Sequence, residues 1–219
     1  LAAIALVVAS CGPRRLAVIG PVADPGAAAT ALSGSTGLGD PLRIVFAWQL
    51  NEAGQRVRGR GVARVEPPYK ARLDLFLDNG ETVVSAAMVD GELRLPAGAP
   101  ADVLPPPDLM WGALGVFRPH EGTRLLGADR LEGDVMRIRY GYLDGKELHY
   151  EVVNGGLRRL EVVDKGRVIE RVEIAPERGG RYPVEARYRN LRDFRELRLE
   201  RESLQVVAPF DPDIWDPRS

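Results

Sequence analysis

The chain of 219 residues holds one cysteine and two histidines. An internal disulfide is therefore excluded, and little material remains for thiol or metal chemistry. His120 and His149 have no Cys or His partner at the spacing of a zinc site. No G-x-S-x-G elbow is present to carry a nucleophilic serine. Charge of one sign is also lacking. Thirty basic residues face thirty-one acidic ones, for a net charge of -1. A general nucleic-acid binder needs a basic excess to displace counterions from phosphate, so that class is set aside. No cofactor motif and no catalytic residue stands out, and the chain reads as a non-enzyme. Gly34-Ser35-Thr36-Gly37-Leu38-Gly39 has the glycines of a phosphate loop, but Asp40-Pro41 stands where Gly-Lys-Ser/Thr is required. Asp211, Asp213 and Asp216 lack the central Gly and closing Glu of a calcium loop.

The first residues carry the clearest signal. Leu1 to Ser10, LAAIALVVAS, is uncharged and apolar. A permanent bilayer span needs about 20 such residues, whereas ten fit the apolar region of a signal peptide. With no Met and no basic segment in front, the sequence is expected to begin inside that signal peptide, residues 1–10. The run ends Val8-Ala9-Ser10-Cys11-Gly12, which resembles a bacterial lipobox. Small side chains before the Cys let a peptidase groove close on the backbone. The Cys11 thiolate would take diacylglycerol and, after cleavage, its amine a further acyl chain. Several chains anchor stably, at ~0.8 kcal/mol per buried CH₂. Gly12, rather than Asp, after the Cys resembles the outer-membrane sorting pattern of enteric bacteria. The expected location is therefore the cell envelope, on the periplasmic face of the outer membrane.

Residues 11–41 are rich in Gly, Ala, Pro and Ser and read as the lipidated Cys and a flexible tether. Period-2 alternation begins at Leu42. Ile44, Phe46, Trp48 and Leu50 share one strand face. In the next strand Arg56, Arg58, Arg60 and Arg64 oppose Val57, Gly59, Gly61, Ala63 and Val65. Those arginines, and Arg195, Arg198 and Arg201 near the end, read as a solvated face with cross-strand ion pairs; attraction to anionic headgroups is the other reading. Leu73, Leu75 and Leu77 alternate with Arg72, Asp74 and Asp78, and Asp78-Asn79-Gly80 signals a hairpin. After the Pro-rich segment 96–107, Asp108 is a plausible N-cap for the helix DLMWGALGVF, residues 108–117. Seven more strands follow between 123 and 207, separated by Gly turns. His149 points away from Leu148 and Tyr150. The predicted fold is all-β with a short helix: one antiparallel sheet, curved or rolled, over residues 42–210, with a loose tail at 211–219.

This order of elements resembles the lipoprotein carrier and outer-membrane lipoprotein receptor family of the Lol system. Three segments carry the likeness: ARLDLFLDNGETVVSAAMVDGELRL, PPPDLMWGALGVFRP and YPVEARYRNLRDFRELRLERESLQVV. It spans about residues 43–208 by pattern rather than by a diagnostic motif. The resemblance implies an open half-barrel with a helical lid over its concave side, and a cavity that holds acyl chains. Phe46, Trp48, Leu73, Leu75, Leu77, Met110, Trp111, Leu114 and Phe117 are the candidate lining; the same residues would also make an ordinary filled core. In the receptor, the loop after the third strand exposes an apolar side chain toward the membrane. The matching Asp78-Asn79-Gly80-Glu81 has none, so the likeness implies the fold and not necessarily the receptor activity. The expected function is membrane-anchored binding of a lipid or lipoprotein acyl chain, with lipoprotein localisation as its specific form. The alternative is a structural or assembly lipoprotein that holds an envelope protein partner.

Overall fold

A computed structural model describes residues 16–99 and 103–217. Cys11 and the apolar run before it lie outside the described residues. Thirteen strands form one sheet in which every neighbouring pair is antiparallel. They are β1 (Val18–Pro21), β2 (Leu42–Glu52), β3 (Gln55–Glu66), β4 (Lys70–Leu77), β5 (Thr82–Val89), β6 (Glu92–Arg94), β7 (Arg124–Leu131), β8 (Val135–Gly141), β9 (Glu147–Val153), β10 (Gly156–Asp164), β11 (Arg167–Pro176), β12 (Pro183–Asn190) and β13 (Arg195–Val206). The spatial order is β1-β7-β8-β9-β10-β11-β12-β13-β2-β3-β4-β5-β6. Among the described residues β1 and β6 are free edges, so the sheet is an unclosed half-barrel: the alternation predicts the single antiparallel sheet, and the family resemblance its open form. Most strands follow their neighbours through tight turns. At Asp90-Gly91 and Asn154-Gly155 both turn residues have positive φ, the geometry that matches the twist of the strands on either side. The seam is different: β13 returns to pair with β2, setting Leu197 opposite Leu50 and Val206 opposite Leu42.

Alternation sorts the two faces. On β2 the residues Leu42, Ile44, Phe46, Trp48 and Leu50 are buried, and on β9 Leu148, Tyr150 and Val152. The opposite, convex face carries ionic ladders. Arg64 donates to Asp74 Oδ2 at 2.5 Å, and Arg137 and Arg159 both reach Glu151. Arg58 meets Asp78 and Arg60 meets Glu202, while Arg56 donates to Asn51. Arg198 pairs there with Glu185 at 2.8 Å, whereas Arg195 and Arg201 lie on the Leu197–Leu199 side of β13, where Arg195 pairs with Glu52 and Arg201, opposite Phe46, pairs with Glu177 at 2.7 Å. The arginine stripes are thus cross-strand ion pairs, worth little each where exposed.

The buried face is covered by two short helices, α1 (Pro25–Thr36) and α2 (Pro107–Ala113). α1 corrects the tether reading, since residues 18–36 hold β1 and this helix. Asp24 accepts from Ala27 N at 2.9 Å, Pro25 opens the first turn, and Ala-rich sequence carries the helix to a Gly37 cap. Ala29, Leu32 and Thr36 are buried in the common core. α2 is shorter than predicted and begins earlier, with Pro106 at its N-cap position. Asp108 makes no cap; its side chain is buried. Gly112 rests on Leu160 of β10, where a Cβ would sit 2.4 Å from that side chain. The tail also departs from the loose segment expected. Pro212–Trp215 forms a 3-10 turn that presses Trp215 onto Ala87 and Val89 on the outer face of β5. Arg72 secures it by donating to the Ile214 carbonyl at 2.8 Å. Among the described residues no helix is long and apolar enough to cross a membrane.

Candidate functional site

The concave face is where the predicted lining residues fall. Phe46, Trp48, Leu73, Leu75, Met110, Trp111, Leu114 and Phe117 are buried in one apolar cluster, with Leu77 half-buried at its edge. They do not enclose a single void. Phe46 and Leu114 meet at an apolar slot of about 40 Å³, closed by Ile44, Ala113, Ala186 and Leu199. That is room for little more than one water molecule, whose share of liquid volume is about 30 Å³. Trp48 is spent on the sheet itself, its indole Nε1 donating to the Arg60 and Phe76 carbonyls, each at 3.1 Å. Trp111 stands edge-on to Tyr69 with ring centres 6.0 Å apart, and Phe117 stands edge-on to Tyr150 at 4.7 Å. The two helices therefore occupy much of the curve, with the slot at the C-terminal end of α2 and a pocket of about 290 Å³ bordered by Asp108 and Trp111 toward its N-terminal end.

Beside that slot lies a much larger groove, about 810 Å³, that the sequence did not point to. The end of α1, the β9–β10 turn and the β11–β12 loop wall it, with Gly115 behind α2 at its floor. Pro183 borders both groove and slot, so the two are neighbours across one side chain. Leu157, Ile174 and Pro183 supply apolar wall, and Arg158, Arg178 and Arg181 supply charge. A hydrogen bond from Ser35 Oγ to the Gly155 carbonyl at 2.8 Å fixes α1 to the turn on the opposite wall.

A buried polar cluster anchors the start of α2. Tyr142 donates to Asp108 Oδ2 at 2.5 Å. Burial pushes the Asp108 carboxyl above its ordinary range, against the opposing pull of the Tyr142 hydrogen bond. Burial, reinforced by the Asp108 carboxylate, raises the Tyr142 phenol strongly. Burial thus favours the uncharged form of both groups, and their hydrogen bond ties α2 to the connection after β8. His120 is exposed on the loop before β7, and His149 contacts Glu147 at 2.8 Å on the convex face.

The Asp78-Asn79-Gly80-Glu81 turn is exposed, and bears no apolar side chain. Exposed apolar residues occupy two other turns at the same end of the strands: Leu143, 97 % exposed, between β8 and β9, and Phe194, 85 % exposed, between β12 and β13.

An unclosed, curved antiparallel sheet with short helices packed into its hollow defines a half-barrel of the LolA type. Solved structures bear this out. A LolA-superfamily protein from Nitrosomonas europaea superposes with a TM-score of 0.55 over 84% of this chain and 95% of its own, at 11% identity. A putative outer membrane lipoprotein-sorting protein domain from Vibrio parahaemolyticus gives 0.57 over 86% and 94%, at 11% identity. A DUF1329 family protein from Desulfovibrio piger gives 0.52 over 90% and 97%, at 10% identity. At these identities the likeness is one of fold. No family model and no curated protein matches the sequence.

Proposed function

We propose that this chain is a non-catalytic envelope lipoprotein, anchored through Cys11, that binds a lipid or the acyl chain of a lipoprotein on the concave side of its half-barrel. The observation that carries this reading is the pairing of an apolar slot at Phe46 and Leu114 with an open groove next to it, the two separated only by Pro183. The sheet has two free edges and its hollow is held by helices of only 12 and 7 residues. Moving α2 outward would widen the slot over Ile44, Phe46 and Leu199 without breaking a strand. Burial of apolar ligand surface there would supply affinity, at ~25 cal/mol per Å². The lipobox resemblance and the fold of the solved neighbours favour the cell envelope, with the periplasmic face of the outer membrane as its location and lipoprotein localisation as the process.

The filled core supports a second reading, in which the protein is structural and holds an envelope protein partner by its sheet or a free edge. Native mass spectrometry of the protein purified from a bacterial periplasm separates the two. Bound masses of fatty acids or phospholipids are expected for the carrier. A clean apo mass, with no uptake of added fatty acid, would sink the carrier and leave the partner-holding role.

A further inference from the structure

The arginines of this protein are distributed unevenly with respect to carboxylates. On the convex face most are neutralised, as at Arg64–Asp74, Arg171–Glu161 and Arg198–Glu185, although Arg43 on β2 is not. Around the 810 Å³ groove they are not. Among the described residues Arg158 and Arg178 make no ion pair or hydrogen bond, and Arg181 only lies over the ring of Tyr182 at 5.6 Å. One carboxylate reaches the groove, Glu177, and Arg201 already holds it at 2.7 Å. Three arginines without a carboxylate partner thus line a concavity of ligand size, whose typical range is about 300–1,000 Å³.

We infer that this groove is a binding site for a phosphate monoester or diester headgroup, carried on an amphiphile whose chain runs along Leu157, Ile174 and Pro183 toward the slot at Phe46. The inference rests on the lipid-binding reading and specifies its ligand class. A planar guanidinium offers paired N–H donors matched to two phosphate oxygens, which a neutral or cationic head cannot use. The groove offers charge from its arginines and apolar wall from Leu157, Ile174 and Pro183, the two kinds of contact that an anionic lipid needs. Because the arginines come from the start of β10 and from the β11–β12 loop, a bound phosphate would also tie that strand to that loop.

The test is titration calorimetry on the full chain carrying Cys11→Ala, so that no acyl group of its own competes. The probes are a lysophosphatidic acid, the monoacylglycerol of the same chain, and sn-glycerol 3-phosphate. The variant is the triple substitution Arg158→Gln, Arg178→Gln, Arg181→Gln, at side chains that hold no ion pair the fold depends on. Lysophosphatidic acid is expected to bind about tenfold tighter or more than the monoacylglycerol, and the triple variant to erase that difference. Equal binding of the two amphiphiles, or a preference that survives the triple variant, would overturn the headgroup site while leaving the carrier reading intact. Binding of glycerol 3-phosphate alone, lost in the variant, would assign the arginines to a free phosphate compound and overturn both the amphiphile and the carrier. Binding of none of the three would remove both.

Discussion

The phenol of Tyr142, in the turn after β8, donates to the carboxyl of Asp108 in the first turn of α2 across 2.5 Å. That bond joins the lid helix to the sheet, and it lies in a part of the molecule where charge is costly. Burial raises the Asp108 carboxyl. The folded state therefore holds this proton more tightly than the unfolded state, whose pKa is near the ordinary 3.8. Its stabilising contribution is full below that value and is lost as pH rises through the raised folded value. The Asp108→Asn variant is expected to gain stability relative to wild type as pH increases across that window, read as the difference in Tm along a pH series. Tyr142→Phe removes the partner instead and is expected to cost about 1–3 kcal/mol.

Trp48 bridges β3 and β4 over Gly59, and the fit leaves no room for a side chain. A Cβ on Gly59 would lie 1.9 Å from the Phe76 carbonyl oxygen. Gly59→Ala is expected to destabilise by about 3 kcal/mol, the upper end for overpacking. Gly39, with nothing within 4 Å of an added Cβ, is the control, and Gly39→Ala is expected to stay within about 0.5 kcal/mol. Urea melts of the two variants check the contrast.

Thr36 couples the two helices' neighbourhoods. Its hydroxyl donates to the Leu32 carbonyl at 2.8 Å and accepts from the Phe117 amide at 3.1 Å. Thr36→Val keeps the shape and leaves a buried amide without a partner, an expected loss of about 1–3 kcal/mol. Hydrogen exchange at the Phe117 amide should accelerate along with it; unchanged protection would show that another acceptor takes over.

Trp215 is 5 % exposed and covers Ala87 and Val89. Trp215→Ala is expected to cost toward the lower end of the ~3–5 kcal/mol seen for buried tryptophans, because this cluster is small. Limited proteolysis should then clip the chain after Val206, and wild-type resistance in the variant would argue that the tail docks by Arg72 alone.

The proposed anchor has its own test. Cys11→Ala is expected to abolish incorporation of labelled palmitate and to shift the protein from the membrane fraction to the soluble one. A lipidated mature species persisting in the variant would remove the lipobox reading.

The strands were legible because alternation in Leu42 to Leu50 and Leu148 to Val152 is the direct imprint of a half-buried sheet, and Asp-Gly and Asn-Gly pairs punctuate it. α1 was missed for a physical reason. Its Ala, Gly, Ser and Thr composition matches a linker, and only Asp24-Pro25 before an Ala-rich run announces a helix. Trp215 was misread because a lone buried aromatic in a polar tail has no periodicity to betray it. The apolar candidates are all at the hollow of the sheet, as alternation and helix patterning require, yet whether they line a void depends on how two helices sit, which no spacing encodes. The groove arginines escaped notice for a related cause. Arg158, Arg178 and Arg181 look like any surface arginines until the fold shows which of their neighbours are carboxylates.

The pairing of β13 with β2 sets a schedule for the molecule. Every other strand contact between β2 and β6, or between β7 and β13, joins neighbours in the chain and closes over short loops. The β13–β2 seam joins residues such as Val206 and Leu42, separated by most of the sequence. Such long-range closure is the slow step in folding. A chain emerging N-terminus first must carry β2 with one side unpaired until its last strand arrives. The halves form early and the hollow between them exists only at the end, so any ligand held there reports on a completed chain.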